Sequence, residues 1–199
     1  FKSMKVTKRY EGIYSIDDVL APQYYESLLE EFVPAHNNWV FRKKEWNAGS
    51  KDDKYPMWGN LQKATNAANK DEYTNSMLGD NHVLLNVGSV GTLIVGSILK
   101  KPVELMRVNT NIQFMGQEST FHQDGFPNNW TLCIFVSERW DGEWGGELVC
   151  ENSIGDYTGF PFKPNCAILF RASLMHKGNA PNRFAPLERK SIAYTYREY

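Results

Sequence analysis

Residues 103–124 read VELMRVNTNIQFMGQESTFHQD, and the alternation in this run predicts a strand with two unlike faces. Successive side chains of a strand point to opposite sides. Arg107, Asn109, Asn111 and Gln113 therefore share one face, and Val108, Thr110, Ile112 and Phe114 share the other. Four polar residues in a row on one face of an otherwise core-like strand predict a wet pocket. Inside a small barrel such groups are costly unless they meet ligand or water. The plainer reading is a solvent-facing edge. The run closes on His122-Gln123-Asp124, whose outer two residues again share a side in extended chain.

Downstream, short apolar-alternating runs recur at Trp130–Ser137, Gly146–Glu151, Cys166–Phe170 and Arg189–Arg197, separated by clusters of Gly, Pro, Asn and Asp. Strands of this length with turn signals between them predict a sandwich or barrel. Upstream, the first 35 residues predict a strand followed by a helix. Asp17 or Asp18 is its expected cap, Tyr24, Leu28, Leu29 and Phe32 its apolar face, and Pro34 its end. Asn38–Arg42 reads as a short strand. The polar stretch Lys43–Asn81 predicts loops and short helices. It is either a solvated connection or a flap whose aromatics Trp46, Tyr55 and Trp58 close over a site.

Val83–Leu99 carries no charge, and Val83, Val87, Val90, Ile94 and Ile98 recur at helical spacing. The stretch is shorter than the roughly 20 apolar residues of a spanning helix and contains several polar residues. It predicts a helix packed on a sheet rather than a membrane span. Lys100, Lys101 and Pro102 supply its stop.

A chain of 199 residues with 42% hydrophobic and 23% charged residues suits one folded domain and excludes a disordered one. The net charge of −1 lacks the basic excess of a nucleic-acid binder, so neither nucleic acid nor membrane is an expected partner. Three widely spaced cysteines, Cys133, Cys150 and Cys166, make neither a disulfide framework nor a zinc ribbon. They predict buried thiols in a reducing, cytoplasmic setting. Residues 1–9 lack the apolar stretch of a signal peptide.

His122 and Asp124 can grip one ion while Gln123 faces away. Of the four histidines only His176 follows the pair, just after the run Cys166–Phe170. Two His and one carboxylate with other positions left open is the facial triad of non-haem Fe(II) oxygenases. A His-x-Asp pair alone is weak evidence, because about 0.2 are expected by chance in such a chain. The neighbours carry the weight. In Arg189-Lys190-Ser191 the outer residues share one face, with Ala193, Thr195 and Arg197 continuing it. A guanidinium and a hydroxyl converging inside a small barrel form an anion site.

With these residues in place, the sequence resembles the 2-oxoglutarate and Fe(II)-dependent oxygenases, most closely the prolyl 4-hydroxylase-like branch and its bacterial and phage relatives. The resemblance covers residues 103–199. It rests on His122-x-Asp124, Thr131, Trp140, Gly145-Gly146-Glu147, His176 and Arg189-x-Ser191. It implies a mainly β fold, a double-stranded β-helix or jelly roll with N-terminal helices on the outer sheet. The implied single domain spans 1–199, with a support and possible flap over 1–102 and a catalytic core over 103–199.

The resemblance also implies roles. His122, Asp124 and His176 hold Fe(II). Arg189 pairs with the distal carboxylate of 2-oxoglutarate, assisted by Ser191, and Thr131 lines that pocket. Asn111 stands where related enzymes place a cosubstrate-contacting Asn. Prolyl hydroxylases often carry a Tyr at the position matched here by Phe135, so Thr131, Asn109 or Asn111 is expected to replace its hydroxyl. Gly145-Gly146-Glu147 is expected to be structural. The implied chemistry is hydroxylation of an unactivated C–H with release of succinate and CO2, ascorbate acting as a supporting reductant. The substrate is a peptide, with proline as the leading site, or a small molecule.

Three other readings compete. A nucleic-acid demethylase of the same superfamily is echoed by Asn111-x-Gln113, Gly116 and the Arg183/Arg189 pair. A non-catalytic jelly-roll module would bind through Trp46, Trp58 and Trp144. A cupin-like metal enzyme would lack the need for Arg189-x-Ser191.

Overall fold

The structure, a computed structural model, describes residues 3–31, 40–42, 57–64 and 82–199. The chain opens with a hairpin, β1 (Lys5–Tyr10) and β2 (Ile13–Asp17), turned at Glu11-Gly12. Gly12 has φ +76°, the left-handed region that only glycine enters without strain. Helix α1 (Pro22–Glu31) follows. It begins at a proline, whose missing N–H is no loss in a first turn, and not at the expected Asp caps. Asp17 instead ends β2, and Asp18 sits at φ 50°. The helix buries Leu28 and turns Tyr25 inward, leaving the expected Tyr24 exposed. Tyr25 donates its hydroxyl to Ser137 O at 2.8 Å and accepts from Ser137 N at 2.9 Å.

Two short strands come next, β3 (Val40–Arg42) and β4 (Met57–Ala64). The second corrects the expectation of loops and short helices over Lys43–Asn81. A polar segment with no hydrophobic alternation gives no strand signal, but backbone pairing along β5 recruits it: Trp58 lies opposite Ile112 and Ala64 opposite Arg107. Trp46 and Tyr55 of the expected flap lie outside the described residues.

Helix α2 (His82–Leu99) is the predicted apolar helix. In length and composition it could cross a membrane, but Leu84, Val87, Ile94 and Val95 belong to the same buried cluster as Val108, Leu132, Ile192, Tyr194 and Tyr196. Two hydroxyls from the last strand reach its backbone. Tyr194 donates to Leu84 O at 3.0 Å and Tyr196 to Gly88 O at 2.8 Å. This approach requires small residues on the helix: a Cβ at Gly91 would lie 2.0 Å from Tyr196 Oη.

The remaining strands are β5 (Val103–Gln113), β6 (Asn129–Val136), β7 (Leu148–Glu151), β8 (Tyr157–Phe160), β9 (Ala167–Arg171), β10 (His176–Gly178) and β11 (Arg189–Glu198). They form two antiparallel sheets. The large one runs β1-β2-β9-β6-β11-β5-β4-β3 and the small one β10-β7-β8. A single bridge from His122 to His176 adds a rudimentary fourth strand to the small sheet. Cys133, Phe135, Ile168 and Phe170 of the large sheet pack with Leu148, Cys150 and Phe160 of the small one. Both helices lie against the other face of the large sheet. This is the jelly roll that the alternation over 103–199 predicts.

Candidate active site

The polar row of β5 and its partner β11 form one interior wall. In register, Gln113 faces Arg189, Asn111 faces Ser191, Asn109 faces Ala193 and Arg107 faces Thr195. Alternation places these side chains on the inner face while Val108, Thr110 and Ile112 face the helices. The polar row singled out in the sequence is this wall.

At one end of it stand the three expected ligands. His122 and His176 are backbone partners, and their rings lie with centroids 4.4 Å apart. Each ring has Nδ1 close to the carbonyl of the residue two positions earlier, Thr120 O at 2.8 Å and Leu174 O at 3.0 Å. A carbonyl only accepts, so each Nδ1 is the donor there, which leaves Nε2 of either ring toward Asp124 as the atom that could bind a metal. Asp124 is fixed through its own N–H, which donates to Ala172 O at 2.8 Å. Its Oδ2 lies 3.3 Å from His176 Nε2, and its Oδ1 lies 3.9 Å from His122 Nε2. All three ligand atoms fall within 4.8 Å of one another. Ligands at right angles around an ion with bonds of about 2.1 Å stand about 3 Å apart, so one first-row metal fits with small adjustment.

The carboxylate is held on both sides. Thr131 donates to Oδ2 at 2.8 Å, and Arg107 Nη2 donates to Oδ1 at 3.0 Å and to Asp124 O at 3.2 Å. Burial alone would raise the Asp124 carboxyl, but His176 and Arg107 beside it hold it well below the usual carboxylate range. It is therefore ionised and ready to bind a cation. Thr131 was expected to line the distal-carboxylate pocket. The structure puts its hydroxyl on the metal ligand instead, at the opposite end of β6 from Phe135.

At the other end of the wall Arg189 is buried, with 2% exposure. Its Nε donates to Gly146 O at 2.8 Å, and its Nη1 donates to Gln113 Oε1 at 2.8 Å and Ser191 Oγ at 3.1 Å. The guanidinium lies 5.6 Å from the Phe135 ring and 5.5 Å from the Phe162 ring, which stack on each other at 4.8 Å. Gly178 leaves it room, since a Cβ there would lie 3.2 Å from Arg189 Cζ. Among the described residues no carboxylate forms an ion pair with Arg189. Its hydrogen-bond partners are neutral groups, and burial lowers its pKa from the ordinary value while the charges of Glu147 and Glu118 act against that.

Between the two ends, Cys133 faces the wall from β6, opposite Ala193. Burial pushes its thiol up to about 11, so it is neutral. Asn111 is half-buried between Ser191 and Gly59 in register. Three buried polar atoms on the wall, Arg107 Nε, Asn109 Oδ1 and Thr195 Oγ1, have no partner among the described residues.

Several functional neighbours escaped sequence reasoning. Gln113 was visible only as one member of the polar row. The carbonyl of Gly146 fixes Arg189, which gives the Gly145-Gly146-Glu147 element a task beyond tight strand entry. Phe162 carried no signal. Arg183, needed by the demethylase reading, is exposed and stacks on Phe184 at 4.8 Å. Trp144, offered as a module's binding aromatic, is half-buried edge-on to Trp140 at 5.5 Å.

No family model and no curated protein matches the sequence. The fold has clear relatives among solved structures. A 2OG-Fe(II) oxygenase family oxidoreductase from Burkholderia pseudomallei is 14% identical with a TM-score of 0.67, covering 94% of this chain and 85% of that one. The epimerase SnoN, solved with Fe3+, α-ketoglutarate and nogalamycin RO, is 13% identical with a TM-score of 0.67, covering 94% and 78%. A Pseudomonas putida prolyl-4-hydroxylase is 15% identical with a TM-score of 0.62, covering 94% and 93%. The chain therefore has the double-stranded β-helix fold of the 2-oxoglutarate oxygenases.

Proposed function

We propose that the protein is an Fe(II)- and 2-oxoglutarate-dependent dioxygenase that hydroxylates an unactivated C–H, with a peptidyl proline as its leading substrate. The observation that carries this reading is the His122–Asp124–His176 cluster at one end of the wall that carries a buried Arg189, which forms no ion pair among the described residues. Support for the substrate comes from the prolyl-4-hydroxylase among the structural relatives, which covers nearly the whole of both chains. Three free cysteines agree with the proposed reducing, cytoplasmic setting.

In this reading Nε2 of His122, Nε2 of His176 and a carboxylate oxygen of Asp124 hold the iron. The Thr120 and Leu174 carbonyls fix the two rings in the ligating tautomer. Thr131 and Arg107 fix the rotamer of Asp124. Arg189 and Ser191 take the distal carboxylate of 2-oxoglutarate, with Gln113, Gly146 and the two phenylalanines keeping the guanidinium in place. Bound iron supplies oxygen activation coupled to decarboxylation of the 2-oxo acid. The buried apolar cluster of Phe135, Phe162, Phe170 and Cys150 between the two sheets would keep water from it.

The test is turnover. Fe(II)-loaded protein with 2-oxoglutarate, O2 and ascorbate is offered proline-containing peptides and small molecules, and succinate is measured. Substrate-stimulated succinate with a hydroxylated product supports the reading. Iron-independent or absent succinate across the panel contradicts it.

A further inference from the structure

The small sheet breaks its own pattern beside the histidine bridge. His122 and His176 exchange both of their backbone bonds. In an antiparallel ladder such pairs recur at every second residue, so the next one would join Thr120 to Gly178. A different residue takes that place. The N–H of Gly178 donates to Ser119 Oγ at 2.8 Å, and the Ser119 hydroxyl donates to Gly178 O at 3.0 Å. Ser119 N also donates to Gly178 O, at 3.4 Å. Two residues on, the N–H of Ala180 donates to Glu118 Oε2 at 3.0 Å. Side chains have replaced the backbone of the 118–120 segment along this flank of β10. Ser119 is 6% exposed, and its hydroxyl both donates and accepts within the pair.

The substitution redirects Thr120. A carbonyl engaged in a ladder lies in the plane of the sheet, while side chains stand perpendicular to it. Such a carbonyl does not meet the ring two residues further on. Thr120 O does meet it, accepting from His122 Nδ1 at 2.8 Å. The partner histidine shows the same contact, Leu174 O at 3.0 Å from His176 Nδ1. Leu174 lies before β10 begins, so a turn releases that carbonyl from the sheet. On the His122 side there is no such turn, and the Ser119 hydroxyl does the same work.

We propose that Ser119 is a positioning residue for the metal cluster: its hydroxyl satisfies Gly178 in place of the backbone and so leaves the Thr120 carbonyl to orient the His122 ring. This rests on the reading of His122, Asp124 and His176 as metal ligands. Without the hydroxyl, the Gly178 N–H needs another acceptor, and a regular ladder offers Thr120 O. His122 Nδ1 then loses the acceptor that keeps its proton there. The tautomer with the proton on Nε2, which cannot ligate, becomes populated. His176 keeps its own acceptor on Leu174, so the effect falls on one ring of the two.

That asymmetry is the test. Metal-free wild type, Ser119→Ala and Ser119→Thr are prepared with 15N-labelled histidine, and long-range 1H–15N spectra at a pH where both rings are neutral show which nitrogen carries each proton. Mn(II) affinity and melting temperature are measured alongside. Tyr196→Phe, which loses a buried hydrogen bond on the other face of the large sheet, is the control for stability alone. In Ser119→Ala the Nε2–H form of His122 should appear while His176 stays as in wild type, and Mn(II) affinity should fall about tenfold. Ser119→Thr, which keeps the hydroxyl, should restore both. Tyr196→Phe should lower the melting temperature and move neither. An unchanged His122 in Ser119→Ala overturns the proposal, and so does an equal change at both histidines, the result of a bridge merely loosened. If Ser119→Ala does not fold, Ser119→Cys is read in its place, since a thiol of similar size donates and accepts only weakly. Absence of Mn(II) binding in wild type overturns the functional reading, and the His122 signal still decides the role of Ser119.

Discussion

His122 and His176 are antiparallel backbone partners: the N–H of each donates to the carbonyl of the other, at 3.0 and 2.9 Å. Directly opposite residues of an antiparallel pair carry their side chains on the same face. The bridge thus converts a long sequence separation into two imidazoles side by side. Asp124 joins them because it lies two residues beyond His122 in a segment pinned to Ala172.

The metal cluster is the first quantity to test. His122→Ala, Asp124→Ala and His176→Ala are each expected to abolish stoichiometric Fe(II) or Mn(II) binding in an anaerobic titration. Thr131→Val and Arg107→Gln remove groups that hold Asp124 and are expected to weaken metal binding by about 10- to 100-fold. Retention of wild-type affinity after loss of either histidine contradicts the assignment.

Arg189 is expected to govern cosubstrate affinity. Arg189→Ala should weaken 2-oxoglutarate binding by about 1.5–3 kcal/mol, the range for hydrogen bonds to charged groups. Arg189→Lys should rescue little. A single ammonium cannot satisfy Gly146, Gln113 and Ser191 while still presenting a planar fork to a carboxylate. Calorimetry on the metal-loaded protein reads both variants.

The seam between helix α2 and strand β11 gives a stability test. Gly91→Ala places a methyl where Tyr196 Oη stands and should cost about 1–3 kcal/mol by overpacking. Tyr196→Phe loses the bond to Gly88 O and should cost about 1 kcal/mol. Because removing the hydroxyl relieves the closest of the contacts, leaving Tyr196 Cζ at 3.1 Å, the double variant should be more stable than Gly91→Ala alone. Urea unfolding of the four proteins completes the cycle.

The buried thiols predict an alkaline limit. Burial pushes Cys133 up to about 11 and raises Cys150 further, whereas an unfolded thiol titrates near 8.5. A raised folded value favours the native state fully below pH ~8.5. That contribution falls as pH rises toward 11, where only the unfolded chain gains thiolates. The melting temperature should drop over this window, and Cys133→Ala should flatten the slope. Native protein at pH 8 should resist alkylation at Cys133 and Cys150 until it is unfolded.

Much of this architecture is legible in the sequence, because alternation and ligand spacing are local. The strand over 103–113, the triad and the Arg189-x-Ser191 face all follow from period two and residue chemistry. Strand β4 was hidden, since a polar segment paired at one side of a sheet needs no hydrophobic pattern. Thr131 was read as lining a cosubstrate pocket, and its hydroxyl donates to Asp124. Its face was evident, but its level depends on the register between β6 and β11, which no single strand encodes. Arg107 was visible as a polar residue, yet its bond to Asp124 exists only when β5 and the 120–125 segment are brought together. On α1 the place expected of Tyr24 is taken by Tyr25, three residues before Leu28 and bonded through its hydroxyl to Ser137.

The most direct test of the account is an anaerobic calorimetric titration of 2-oxoglutarate into the protein with and without Fe(II). The account predicts one 2-oxoglutarate bound per chain in the presence of Fe(II). It also predicts sharply weaker binding without the metal, and loss of the metal-dependent gain in His176→Ala. Equal binding with and without Fe(II), or no binding in either case, would contradict it.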